Sequence, residues 1–112
     1  MSKFQECIDT YKAEFDKLGV DYEEDLLVKV TKGCGPAIYN RDACTVSGTD
    51  KGELDTVKKN FLIKKLGLDD SEALDSAIAE VIETFGSSNK YKYRAMFYYL
   101  LTKKFSKEAI YN

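Results

Sequence analysis

Residues 89–105, NKYKYRAMFYYLLTKKF, limit what this chain can fold into more than any other stretch. Tyr93, Phe97 and Leu101 follow one line at helical spacing, with Met96 and Leu100 beside it. Tyr91, Ala95, Tyr98, Tyr99 and Phe105 fill much of the remaining circumference. A helix that is apolar nearly all round is normally buried by neighbours on several sides. This one contains no glycine or proline, and it is too short and too charged to span a bilayer. The spacing therefore predicts a central core helix over 89–105, with the rest of the chain packed around it.

Arg94 interrupts that apolar surface. A buried charge must be paired or it costs several kcal/mol. Two arrangements meet this need. In one, Arg94 takes a carboxylate from another helix. In the other, its stem packs along the surface and its head stays in water.

The preceding chain reads as more helices. Ser2 and Gln5 have capping-box spacing, and Phe4, Ile8, Tyr11, Phe15 and Leu18 form a stripe that ends at Gly19. Asp21 and Glu24 open a second helix, with Leu26, Leu27 and Val30 inward and Gly33 as its stop. Asp50 and Glu53 open a third, carrying Leu54, Val57, Phe61, Leu62, Ile63 and Leu66 and ending at Gly67. Asp69 and Glu72 open a fourth, carrying Leu74, Ile78, Val81, Ile82 and Phe85 and ending at Gly86. The short linker Gly86, Ser87, Ser88 makes the fourth and fifth helices antiparallel neighbours, with Ser87 or Ser88 as the next cap. Glu80 or Glu83 then lies within reach of Arg94. A final turn over residues 106–112 buries Ile110 and Tyr111. No segment alternates with a period of two, and no repeat is present. The expected fold is all-α: one domain over residues 1–112, an irregular bundle of five main helices plus one short helix at Pro36.

Composition excludes several function classes. The chain has 112 residues, a net charge of −2 and no histidine. Its acidic balance argues against a general nucleic-acid binder. Charge is uneven: residues 1–86 carry 11 basic and 18 acidic side chains, and residues 87–112 carry six and one. The two parts can neutralise each other in the fold. Cys7, Cys34 and Cys44 form no CxxC pair, so the usual Cys/His zinc patterns are absent. The odd cysteine count and the lack of a signal sequence point to free thiols in a cytoplasmic setting.

Residues 33–52 are the most irregular part. Gly33, Gly35 and Pro36 before a short helix make a weak anion-loop pattern, without a Walker lysine or a preceding strand. Asp42 and Glu53 have the spacing of the ends of an EF-hand loop. Cys44, Val46 and Ser47 stand at positions that such a loop needs for ligands and glycine, so calcium binding is rejected. Lys58, Lys59, Lys64 and Lys65 read as a solvated face with cations at the helix C-terminus, ahead of a nucleic-acid patch.

No nucleophile, base and orienting group can be assembled from spacing. The best catalytic variant is a thiolate at Cys34 or Cys44. The preferred reading is a non-enzymatic cytoplasmic protein acting through protein–protein interaction, as a homodimer, with no cofactor, metal or membrane partner. Eight tyrosines and six phenylalanines are many for one small core, and aromatics are enriched at interfaces. The candidate surface is Lys90, Tyr91, Lys92, Arg94 and Tyr99. The same residues serve the alternative reading, single-stranded nucleic-acid binding by tyrosines among basic residues.

Four runs carry a family resemblance: TVKKNFLIKKLGL (56–68), KYKYRAMFYYLLTKKF (90–105), the opening MSKFQECIDTYKAEF, and VTKGCGPAIYN (30–40). Together they resemble a bacterial family of short proteins catalogued as a domain of unknown function, DUF2853. The resemblance spans nearly the whole chain. It implies an all-α single domain, and no activity, substrate, cofactor or site residue.

Overall fold

The computed structural model describes residues 2–86, 89 and 92–111. Its elements are α1 (Lys3–Leu18), α2 (Glu24–Cys34), a 3-10 turn (Gly35–Tyr39), α3 (Lys51–Thr56, continuing as a π-helix over Val57–Lys65), α4 (Glu72–Phe85), α5 (Arg94–Lys104) and a second 3-10 turn (Glu108–Tyr111). The fold is an all-α bundle, and no strand is present among the described residues. Its Cα radius of gyration is 13.0 Å, close to the ~13 Å of a compact chain of this length.

Local chemistry sets most helix ends. The Ser2 hydroxyl accepts from the Gln5 N–H at 3.1 Å, satisfying one of the orphan donors of α1. Gly19 adopts φ 70°, and the Val20 N–H reaches back to the Phe15 carbonyl at 3.0 Å. That is the six-to-one bond of a Schellman end. Asp50 caps α3 through the N–H groups of Gly52 and Glu53. Two expected caps are displaced. Glu23, not Asp21, is the N-cap of α2, and Ser71, not Asp69, is that of α4. The stop of α2 also moves, from Gly33 to Gly35, whose φ of 67° ends the helix. Gly33 is needed for closeness instead, because a Cβ there would meet the Tyr111 ring at 3.3 Å.

The second half of α3 departs from α-helical winding. Val57, Phe61, Leu62 and Leu66 are all buried. At about 100° per residue Val57 and Leu66 would point to opposite sides. Winding with i to i+5 bonds, at roughly 4.4 residues per turn, returns them to one side. The Leu66 N–H accordingly donates to the Phe61 carbonyl at 2.9 Å. The wider turn lets every apolar residue of this stripe face the core while Lys59, Asn60, Lys64 and Lys65 stay exposed.

The helix α5 is central, as its composition requires. It packs mainly on α2 and α4 and buries Ala95, Met96, Phe97, Tyr99, Leu101 and Thr102. Its start is five residues later than the spacing predicts. Thr45 and Tyr93 form an isolated antiparallel bridge. The Val46 N–H donates to the Lys92 carbonyl at 2.8 Å, and the Arg94 N–H to the Cys44 carbonyl at 2.7 Å. These backbone groups are committed to the loop, and Tyr93 is extended (ψ 134°), so no helical turn forms there. Ser87 and Ser88, expected caps, lie outside the described residues. Ile110, expected to be buried, is 39% exposed, while Tyr111 is half-buried.

Candidate functional site

Arg94 gathers the polar interior. Its Nη2 lies 2.8 Å from the Glu53 carboxylate, its Nη1 donates to the Tyr98 hydroxyl at 3.0 Å, and its Nε donates to the Ala43 carbonyl at 2.6 Å. The expected carboxylate partner is therefore present, but it is Glu53 and not Glu80 or Glu83. Glu80 pairs with Lys104 at 2.8 Å instead. The difference arises because the later start of α5 puts Arg94 beside the loop before α3. Tyr98 stacks on Phe61 with centroids 4.0 Å apart, so the guanidinium is held through an aromatic wall. Three donors engaged in a fixed fork make this an anchor for residues 40–46, which the Asn40 side chain folds locally by accepting from the Asp42 and Ala43 N–H groups.

Cys34 and Cys7 lie close by and are quiet. Burial pushes Cys34 up to about 11, against the opposing pull of Arg94. Burial also raises Cys7, which hydrogen-bonds Tyr11. Burial raises the Tyr11 hydroxyl too, and all three cysteines add to that shift, so they share its surroundings. Thiolate is the reactive form, and a raised pKa withholds it. Iodoacetamide should therefore modify Cys34 of the folded protein about a hundredfold more slowly at neutral pH than an unperturbed thiol. The rate should climb with pH towards about 11. Mass-resolved alkylation against the urea-unfolded chain measures this.

The sequence-derived surface is dispersed by the fold. Lys90 and Tyr91 lie outside the described residues. Lys92 is only 4% exposed, and its ammonium donates to the Asn89 carbonyl. Tyr99, expected opposite the main stripe, is 1% exposed and packs on Phe15 at 5.4 Å. Its hydroxyl accepts from the Glu23 N–H at 2.7 Å and so ties the N-cap of α2, which has no side-chain cap, to α5. Tyr11, Phe15, Phe61, Phe85 and Phe97 are also buried. The aromatic abundance is thus largely consumed inside, and Tyr39 is the one strongly exposed aromatic among the described residues.

The basic residues are likewise engaged. Lys58 reaches Asp70 and Asp75, Lys59 reaches Asp55, and Lys103 reaches Glu23 and Glu108. Each exposed pair contributes little stability. Together they place carboxylates beside the cations that a nucleic-acid reading requires.

The fold leaves one apolar groove that the spacing did not single out. It lies between α3 and α4, encloses about 290 Å³, and is lined by Leu54, Ile78, Ala79 and Ile82 with Lys51, Asp55 and Asp75 at its edges. Leu54 and Ile82 are half-buried and Ala79 is exposed. A readable signal existed: Ile82 widens the α4 stripe beyond Leu74, Ile78, Val81 and Phe85, which already fill the core side. Among the described residues no cluster of carboxylates and thiols has the form of a metal site, and no helix is long and apolar enough to cross a membrane.

These features define a class: an all-α bundle closed around a late central helix, with an internal arginine anchor and an apolar groove on the outside. The chain belongs to the DUF2853 family of proteins of unknown function, whose sequence profile matches residues 10–109. Three of the four resembling runs lie wholly within the matched residues, and the opening run lies within them from Thr10 on. No curated protein matches the chain.

Proposed function

We propose that the protein acts without catalysis, by holding another protein in the groove between α3 and α4. The observation that carries this reading is the apolar groove itself, in which Ala79 is exposed and Leu54 and Ile82 are half-buried above the buried Ile78. Its volume of about 290 Å³ is at or below the small end of the ~300–1,000 Å³ typical of small-molecule sites. A groove of that size suits a few side chains of a partner better than a whole metabolite. The raised thiols of Cys7 and Cys34 weigh against a thiolate enzyme, and the free state of all three cysteines fits a reducing, cytoplasmic setting.

A homodimer is the reading that makes the partner a second copy. Single-stranded nucleic-acid binding is the weaker alternative, because Lys92 and Arg94 are taken up within the fold. The test is a titration with an amphipathic helical peptide whose polar face is uncharged, followed by methyl NMR. Binding should shift the Leu54, Ile78 and Ile82 methyl resonances, and Ala79→Arg should abolish the shifts. Titration shifts confined to other residues would overturn the groove reading. Concentration-dependent shifts at the same methyls without peptide would instead identify the second copy as the occupant.

A further inference from the structure

A serine stands where the end of α5 calls for glycine. Ser106 has φ 54° and is the one non-glycine residue with positive φ among the described residues. Its N–H donates to the Lys103 carbonyl at 3.1 Å, and the Lys107 N–H donates to the Thr102 carbonyl at 3.0 Å. These are the two bonds of a Schellman end, whose left-handed position is ordinarily glycine because a Cβ is strained there. The strained joint carries the 3-10 turn Glu108–Tyr111, which packs on α2 and has no buried residue. Ala109 and Ile110 are exposed, and the Glu108–Lys103 pair is open to water and contributes little. What holds the turn is Tyr111. Its ring fits against Gly33, where a Cβ would come within 3.3 Å, and the Lys65 ammonium lies 5.5 Å from its centroid.

Against Tyr111 lies a cavity of about 170 Å³, lined by Gly33, Asn60, Phe61, Lys65, Tyr98 and Tyr111 itself. Cys34 adjoins Gly33 in the chain and is near enough to add to the upward shift of the Tyr111 hydroxyl. This cavity shares no lining residue with the groove between α3 and α4, so the two stand or fall separately. We propose that residues 106–111 form a strap that swings open at Ser106 while the bundle stays folded, and that opening bares this cavity and the Cys34 thiol. Segments with few buried apolar contacts are the ones that open locally, at less than the cost of global unfolding. Strain at the joint lowers that cost further, since opening lets Ser106 return to ordinary backbone angles. A thiol behind such a strap meets a reagent only in the open state, so its modification rate reports the opening.

Amide exchange and alkylation of the full chain test the strap. The Lys107 and Ile110 amides donate to the Thr102 and Lys107 carbonyls, and both should exchange about tenfold or more faster than the core amides of Phe15 and Leu27. Tyr111→Ala should speed Lys107 and Ile110 by about a further tenfold, and iodoacetamide modification of Cys34 by a similar factor, with Cys7 alkylation unchanged. Ser106→Gly should slow the same two amides and Cys34 alkylation about threefold, because glycine carries no left-handed cost. Ile110→Ala, in the same turn but exposed, should change neither Lys107 exchange nor Cys34 alkylation. Equal acceleration of Phe15, Leu27, Lys107 and Ile110 in Tyr111→Ala would mean that the turn unfolds only with the bundle, and would overturn the strap. So would a Cys34 rate that Tyr111→Ala leaves unchanged, since the thiol would then not lie behind it.

Discussion

Phe97→Ala is expected to lower the free energy of unfolding by about 3–5 kcal/mol, as truncating a buried phenylalanine does when its surroundings cannot collapse. Phe97 is fully buried and stacks on Phe85 with centroids 6.1 Å apart. It sits on the one helix that faces both α2 and α4, so its neighbours are fixed from two sides and cannot close the void. Small proteins have roughly 5–15 kcal/mol of stability in total. The loss is therefore a large fraction of the whole. Urea unfolding followed by circular dichroism measures the change as a lower midpoint at unchanged slope. Ile110→Ala, at a site 39% exposed, should stay within about 0.5 kcal/mol and serves as the control. A loss under about 1 kcal/mol for Phe97→Ala would mean that α5 is not the core element described above.

Arg94→Ala should come second, at about 2–4 kcal/mol. The range lies below that for a fully buried pair because the Arg94 and Glu53 side chains keep 16% and 25% of their exposure. Removal strands three acceptors at once: the Glu53 carboxylate, the Tyr98 hydroxyl and the Ala43 carbonyl. Arg94→Lys should recover only part of the loss, because an ammonium on a flexible stem cannot serve three acceptors in a planar fork. The distinctive readout is local. Amide exchange should accelerate at Cys44 and Val46 more than at Phe15 or Leu27, since the former are held by the anchored segment and the latter by the core. Uniform acceleration would assign Arg94 to the global core rather than to the loop.

What could be read from the sequence was what neighbouring residues decide. The Ser2 cap, the stripe through Ile8, Tyr11 and Phe15, and the Gly19 stop all follow from contacts within a few residues. The all-α class and the central place of α5 follow from patterning alone. The start of α5 could not be read in this way. It depends on backbone bonds to Cys44 and Val46, some fifty residues earlier, which no helical periodicity reports. Glu53 was read locally as part of a cap, and that concealed its role as the partner of Arg94. Tyr99 was assigned to the candidate surface because the surplus of aromatics suggested an interface, although the all-round apolar pattern of α5 already implied cover on several sides, and Tyr99 is buried. In α3 the wheel itself was at fault, because Val57 and Leu66 coincide only at the π-helical pitch. The groove went unnoticed because Leu54 and Ile82 were counted as core, whereas the fold leaves both half-buried at the seam of α3 and α4.

The place of α5 in the chain order has a consequence during synthesis. Protein chains emerge from the ribosome amino end first, and domains ordinarily begin folding in that order. Here the helix that α2 and α4 pack upon is made after both of them. Until it emerges, the earlier helices can pack only on one another, and the faces of α2 and α4 that α5 covers stay open. Phe15, Phe61 and Phe85 lack their ring partners Tyr99, Tyr98 and Phe97 until residues 94–104 arrive. The bundle can therefore be completed only once α5 is available to both α2 and α4.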